Sequence, residues 1–186
     1  MMKKKGVTIM ILLLTGSSHT GKTLLAQKLL ERYHIPYLSI DHLKMGLIRS
    51  GQTHLTPMDD EKLTDYLWPI VREMVKTAIE NGQCLIVEGC YIPFNWAKDF
   101  SPEYLQHIRC CCLIFSRSYI ENHFDRIRDC ACAIEQRLDD SALCPEDLIR
   151  DNEENLRQCR RHGWKYILIK EDYRIDPEEV MAQSRA

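Results

Sequence analysis

The chain has 186 residues, 45 % of them hydrophobic and 28 % charged, with a net charge of −2 at neutral pH. That length suits one domain with a substantial core, and the composition is that of an ordinary soluble globular protein. It excludes the basic surplus that nucleic-acid binders show.

The first residues carry a basic run, Lys3-Lys4-Lys5, followed by an apolar run from Ile9 to Leu14. A secretory signal begins in this way. Here the apolar run is short, no small-x-small cleavage site follows, and cleavage near Gly16 would cut into the motif described next. The run also falls short of the about 20 apolar residues that span a bilayer. The expectation is an exposed basic tail feeding a buried strand over 8–15, with no membrane partner.

That strand leads into Gly16-Ser17-Ser18-His19-Thr20-Gly21-Lys22-Thr23, which reads G-x-x-x-x-G-K-T and is followed by Leu24 and a helix-like stretch over 22–33. Strand, glycine-bracketed loop and helix form the context that makes this a phosphate-binding P-loop. Gly16 and Gly21 admit backbone conformations closed to residues with a Cβ and let the chain approach a ligand closely. The N–H groups of the loop, from Gly16 to Leu24, then converge on phosphate oxygens at the positive end of a helix dipole. Lys22 reaches the β- and γ-phosphates of a nucleoside triphosphate, and the Thr23 hydroxyl is a ligand for Mg²⁺. His19 occupies a free position of the motif, and its role is open.

Strand-like and helix-like runs alternate through the rest of the chain. Strand 2 is expected at 37–40, leading directly into Asp41, with a helix over 42–49 broken at Gly51. Asp59 or Asp60 caps a long helix reaching Glu80, with Leu63, Leu67, Ile70, Val71, Met74, Val75 and Ile79 at helical spacing and Pro69 inside as a point of kinking. Asn81-Gly82 ends it; strand 3 covers 84–87 and runs into Glu88-Gly89, a loop covers 90–101, and a short helix covers 102–107. Strand 4 is expected at 109–115, a helix-like stretch from Tyr119 towards Leu138, a helix from Pro145 to 162, strand 5 at 165–169, and a last helix from Pro177. Five strands with crossover helices make a single three-layer α/β/α sandwich around a parallel sheet, spanning 1–186. Ligands of such sheets bind at the carboxyl ends of the strands, where the P-loop, Asp41, Glu88 and Arg117 emerge.

The P-loop leaves the acceptor open. GTPase switches add Asp-x-x-Gly after strand 3 and Asn-Lys-x-Asp, whereas this strand ends Val87-Glu88-Gly89 and the second motif does not occur. The Leu-Ser-Gly-Gly signature of transporter ATPases is also absent. With Asp41 after strand 2 and arginines after strand 4, the chain resembles the small P-loop kinases: shikimate, gluconate and nucleoside monophosphate kinases, with the zeta-toxin kinases more distant. The runs Ser39-Ile40-Asp41-His42-Leu43-Lys44-Met45-Gly46 and Val87-Glu88-Gly89-Cys90-Tyr91-Ile92-Pro93 look most like proteins called 2-phosphoglycerate kinase or related kinases.

The resemblance implies an acceptor-binding helical region at about 41–80 and a lid at about 117–145. In shikimate- and gluconate-type kinases an aspartate at the place of Asp41 sits beside the acceptor hydroxyl, orienting it, taking its proton late, or holding Mg²⁺ through water. Asp41 also suits a helix N-cap. Lys44 and Arg49, one and two turns further on, either bind an anionic acceptor or are surface charge. Glu88 stands where P-loop enzymes carry the carboxylate that governs the water around Mg²⁺. No arginine follows it as in the Asp-Gly-x-Pro-Arg of nucleotide kinases, which favours a non-nucleotide acceptor. Tyr91, Phe94 and Trp96 line the acceptor pocket or pack the loop.

Arg117, Arg126, Arg128 and Arg137 cluster where the family has its mobile lid. Arg126 and Arg128 match best, but at two-residue spacing they do not share a helix face. Either the chain unwinds there or one of them acts. Cys130, Cys132, Cys144 and Cys159 invite a zinc reading, but the paired C-x-x-C spacing is missing, and buried helix cysteines are the alternative. Nine cysteines without a signal peptide point to the reducing cytoplasm. The expected activity is ATP- and Mg²⁺-dependent transfer of the γ-phosphoryl group to a small hydroxyl- or phosphate-bearing metabolite, by a monomer or homodimer. A nucleotide or nucleotide-sugar kinase, and a nucleotide-binding regulatory ATPase module, are the alternatives.

Overall fold

The computed structural model describes residues 10–130 and 143–183. Five strands, β1 (Ile11–Gly16), β2 (Tyr37–Ser39), β3 (Leu85–Glu88), β4 (Ile108–Phe115) and β5 (Lys165–Ile169), form one sheet in the order β2-β3-β1-β4-β5. Every neighbouring pair is parallel. The apolar runs read in the sequence explain this. Ile11 to Leu14 are all fully buried, as strands covered on both faces must be.

Alternation along β1 and β4 sorts two cores. Ile11 and Leu13 of β1, with Val87, Cys112 and Ile114, face α3 (Asp60–Glu80) through Leu63, Leu67, Trp68, Val71 and Val75. Cys159 of α6 (Pro145–His162) joins the same core. Leu12 and Leu14, with Ile86, Cys111 and Leu113, face α1 (Lys22–Tyr33) and α7 (Pro177–Gln183) through Leu25, Ala26, Leu29, Val180 and Met181. Each fully buried Leu or Ile contributes about 1.5–3 kcal/mol. A third cluster at the end of β4 packs Phe115 with Tyr119, Ile120 and Ile127 of α5 (Arg117–Asp129) and Leu148 and Ile149 of α6. Among the described residues no helix is long and apolar enough to cross a membrane.

Several boundaries differ from the sequence reading for tertiary reasons. β2 stops at Ser39 and α2 (Ile40–Arg49) begins at Ile40, whose side chain is drawn fully into the core. Asp41 therefore lies in the first turn of α2 and is not its N-cap; Ser39 holds that position. Neither expected aspartate caps α3 with its side chain: Asp59 holds the N-cap position but turns its carboxylate back to the Thr56 N–H and hydroxyl. β3 takes in Glu88, and a short 3-10 turn (Trp96–Asp99) and α4 (Pro102–Leu105) interrupt the expected loop and short helix. α3 runs as one element through Pro69. α5 starts at Arg117 and has non-helical geometry at His123 (φ −132°, ψ 18°). The part of the expected lid over 131–142, with Cys132 and Arg137, lies outside the described residues.

β4 outruns β1. Gly16 pairs with Leu113, and Ser116 donates its N–H to Ile169 of β5, so the N–H of Phe115 points to the side that β1 has vacated. Asn152 of α6, 1 % exposed, supplies the missing acceptor at 2.8 Å and donates its amide to the Leu148 carbonyl at 2.8 Å. Asn152→Ala leaves a buried donor without its acceptor and is expected to cost about 1–3 kcal/mol. Thermal unfolding should register this as a drop of about 2–4 °C per kcal/mol.

Candidate functional site

The P-loop closes on itself through one carbonyl. Ser17 O accepts from the Thr20 hydroxyl at 2.8 Å, from Lys22 Nζ at 2.9 Å and from the Thr20 N–H at 3.4 Å. Lys22 is only 6 % exposed, so its ammonium is held within the loop and not in solvent. A primary ammonium carries three donors, and this bond uses one. The two motif glycines are sterically required. Gly16 (φ 147°) has no room for a Cβ, which would lie 2.4 Å from the Leu113 carbonyl. Gly21 (φ 81°) is covered by Tyr173, whose hydroxyl would lie 1.9 Å from a Cβ there. His19 also has positive φ, 67°, a conformation rare for a residue with a side chain.

Two side chains that sequence reading did not single out brace this loop. Asn155 of α6 donates to the Ser17 hydroxyl at 2.8 Å, and Tyr173, on the segment after β5, donates to the Thr20 carbonyl at 3.1 Å. The Tyr173 ring packs edge-on to Phe115, and burial pushes its hydroxyl up to about 12. The hydroxyl therefore stays a donor at every physiological pH. Neither residue has a local signal, since the loop lies 138 and 153 positions away in sequence.

Sheet register places the carboxylates. Ser39, Glu88 and Leu14 are paired across β2, β3 and β1, so Glu88 closes the central row, 1 % exposed. Just beyond it Gly89 N–H donates to Leu14 O at 3.1 Å, Thr15 Oγ1 donates to Gly89 O at 2.9 Å, and Cys90 Sγ donates to Gly16 O at 3.4 Å. The end of β3 is thus bolted to the start of the P-loop.

On the neighbouring side a polar chain links three elements. Lys44 Nζ donates to Asp41 Oδ1 at 2.6 Å and to Tyr91 Oη at 3.0 Å, and Tyr91 Oη donates to Asp60 Oδ1 at 2.9 Å. Burial, with the Asp60 charge beside it, holds the Tyr91 phenol well above its ordinary pKa. Asp60 was read only as a cap, and its part here is tertiary. Arg49 is exposed in the last turn of α2, eight residues or about 12 Å of helix from Asp41, so the structure does not bring the two together.

The aromatic residues divide. Tyr91 belongs to the polar chain, whereas Trp96 is buried against Phe100 and Trp164, and Phe94 packs on Trp164. The last two pack the loop. An open groove of about 570 Å³, lined by Thr53, His54, Leu55, Lys62, Asp65 and Tyr66, contains none of the P-loop residues or Asp41.

Arg126 and Arg128 both lie in the last turns of α5, and the break at His123 precedes them, so no unwinding separates the two. They leave the helix in different directions. Arg128 pairs with Asp125 at 3.0 Å in solvent. The charge of Arg126 draws the Tyr119 pKa down against the upward push of burial, so the two lie near one another across the break at His123. Tyr119 stacks on Phe115, which packs edge-on to Tyr173. Arg117 is held by Glu153 at 2.8 Å.

Cys132 lies outside the described residues, and the other three cysteines of the zinc reading are spread along the chain. Cys144 and Cys159 sit fifteen residues apart on the single helix α6, about 22 Å along its axis, which excludes one ion between them. Among the described residues no group of three or more His, Cys, Asp or Glu could hold a metal. Burial pushes Cys110 up to about 11 and Cys111 up to about 12, and a hydrogen bond with Cys159 together with burial raises Cys112. Thiolate is the reactive form. At neutral pH a thiol reagent should therefore label exposed Cys90 and Cys130 in the native protein and Cys111, Cys112 and Cys159 only after unfolding, as read by mass spectrometry of the labelled peptides.

No family model matches the chain, and none of the curated proteins does. Solved structures match it along nearly its whole length. A protein of Chloroflexus aurantiacus described as a candidate kinase superposes with a TM-score of 0.57 at 20 % identity, over 96 % of this chain and 98 % of the other. Shikimate kinase of Aquifex aeolicus gives 0.53 at 15 %, over 94 % and 92 %. A gluconokinase of Sinorhizobium meliloti gives 0.52 at 12 %, over 95 % and 90 %. What is shared at these identities is the fold, that of the small-molecule P-loop kinases.

Proposed function

We propose that this chain is an ATP- and Mg²⁺-dependent phosphotransferase that moves the γ-phosphoryl group to a small hydroxyl- or phosphate-bearing metabolite. One observation carries the reading: the register row Ser39–Glu88–Leu14 sets the P-loop, a buried carboxylate and the Asp41 turn side by side at the carboxyl ends of three adjacent strands. Neighbouring strands lie about 4.8 Å apart, and a small acceptor bound at this edge would bring its hydroxyl to the γ-phosphoryl group.

The residues present suit a triphosphate. Glycines stand where a Cβ would collide, a buried ammonium points into the loop, and the loop opens α1. Lys22 neutralises the β- and γ-phosphate oxygens, and the loop N–H groups hold the chain of phosphates in line. Mg²⁺ would be held by Thr23 with Glu88 governing its water, and it supplies further charge neutralisation. Asp41 orients the acceptor hydroxyl. As that oxygen bonds to the γ-phosphorus, the bond from phosphorus to the bridging oxygen breaks, its electron pair leaves with ADP, and the hydroxyl proton passes to Asp41. Arg126 is the candidate to meet the transferring group from the lid, with Arg128 on the outer side.

Lys22→Ala is expected to lower kcat/KM by about 10²–10³-fold with the far-ultraviolet circular dichroism unchanged. Retained turnover would remove the catalytic P-loop. Asp41→Asn should lower kcat by about 10²-fold or more while ATP affinity, measured by calorimetry, stays within about twofold of wild type. Equal losses in both would assign Asp41 to folding alone.

A further inference from the structure

We infer that Tyr173 is a positioning residue for the phosphates: its hydroxyl fixes the peptide between Thr20 and Gly21 so that the Gly21 N–H faces a bound polyphosphate. This role rests on the P-loop reading above and adds to it a residue from outside the motif.

The loop backbone is anchored on both sides of that peptide. Before it, Ser17 O accepts from Lys22 Nζ and from the Thr20 hydroxyl. After it, Gly21 O accepts from the Leu25 N–H at 2.9 Å in the first turn of α1. The peptide between takes its anchor from 153 positions away, where the Tyr173 hydroxyl donates to Thr20 O at 3.1 Å. It is trans, and a trans peptide points its N–H opposite to its C=O. Pinning Thr20 O toward the segment after β5 therefore turns the Gly21 N–H away from Tyr173, to the face of the loop that Tyr173 leaves open. Gly21 is the N-cap of α1, so this N–H belongs to the group that a helix start offers to an anion.

The phenol is built for this contact. Its ring packs edge-on to Phe115 with centroids 6.2 Å apart, and Phe115 stacks on Tyr119 at 4.8 Å, so the hydroxyl sits on a rigid aromatic base. Gly21 lets it approach: with a Cβ there, the phenol oxygen would lie 1.9 Å away. Burial pushes the hydroxyl up to about 12, so it donates throughout the neutral range. Asn155 differs in kind, since it reaches the Ser17 side chain and leaves the backbone alone.

The test is calorimetric titration of the full chain, in Mg²⁺, with ADP and with inorganic tripolyphosphate, a probe that has neither base nor sugar. Tyr173→Phe removes the hydroxyl and keeps the ring. It should weaken both probes by a similar factor of about three- to tenfold, the worth of one hydrogen bond, with the far-ultraviolet circular dichroism unchanged. A loss for ADP alone overturns the inference by assigning Tyr173 to the base. Unchanged affinity for both probes also overturns it, whether or not thermal stability falls, because the bond then serves folding only. Wild-type protein gives a check that needs no variant: in ¹⁵N-labelled chain the Gly21 amide resonance should move on saturation with tripolyphosphate, and a stationary resonance overturns the inference. These outcomes leave the P-loop reading standing. Wild-type protein that binds neither probe, or Lys22→Ala protein that binds both as tightly, removes that reading and this role with it.

Discussion

A buried ammonium at the carboxyl edge of a parallel sheet is the constraint from which the site takes its form. Moving such a charge out of water costs several kcal/mol even after relaxation, about the scale of a domain's whole net stability. The chain offsets this by wrapping the loop around Lys22: Ser17 turns its carbonyl inward to the Nζ, Thr20 closes the same turn, and Gly16 and Gly21 stand where a Cβ would collide with Leu113 and Tyr173. Asn155 and Tyr173 then brace the loop from α6 and from the segment after β5. The loop is thereby held by contacts from within itself, from α6 and from the segment after β5.

The polar chain around Asp41 is built differently. There the charges are half-exposed and satisfy one another, with Lys44 between Asp41 and a tyrosine that hands the contact on to Asp60. The network ties α2 to the N-terminus of α3 and to the loop after β3. Asp41 is thereby aimed by three elements, while the exposed cations further along α2 and α5 are left to solvent or to nearby acids. Glu88 lies in the row that the sheet register sets between the P-loop strand and β2.

Local signals made much of this readable in advance. The Ile9 to Leu14 run, Gly16 to Thr23 and the helical spacing of α1 are short-range patterns, and the structure has β1, the loop and α1 where those patterns put them. α6 and β5 likewise begin at Pro145 and Lys165 as read. Boundaries moved where a distant contact outweighed local preference. Ile40 was read as the last residue of strand 2, but it is the first residue of α2, fully buried in the core. Trp96 was readable as a pocket aromatic, yet Trp164 and Phe100 claim it.

By itself, then, the sequence determined the α/β class, the glycine-bracketed loop after β1 and Glu88 as a carboxylate at the end of a strand, because each depends on residues within a few positions of one another. Tertiary structure alone decided that Lys44 and Asp60 meet at Tyr91, and that Asn155 and Tyr173 brace a loop more than 130 positions away. The physical reason is range. Hydrophobic period and backbone sterics act between neighbours, whereas a charge finds its partner only after packing has brought distant elements within hydrogen-bond reach.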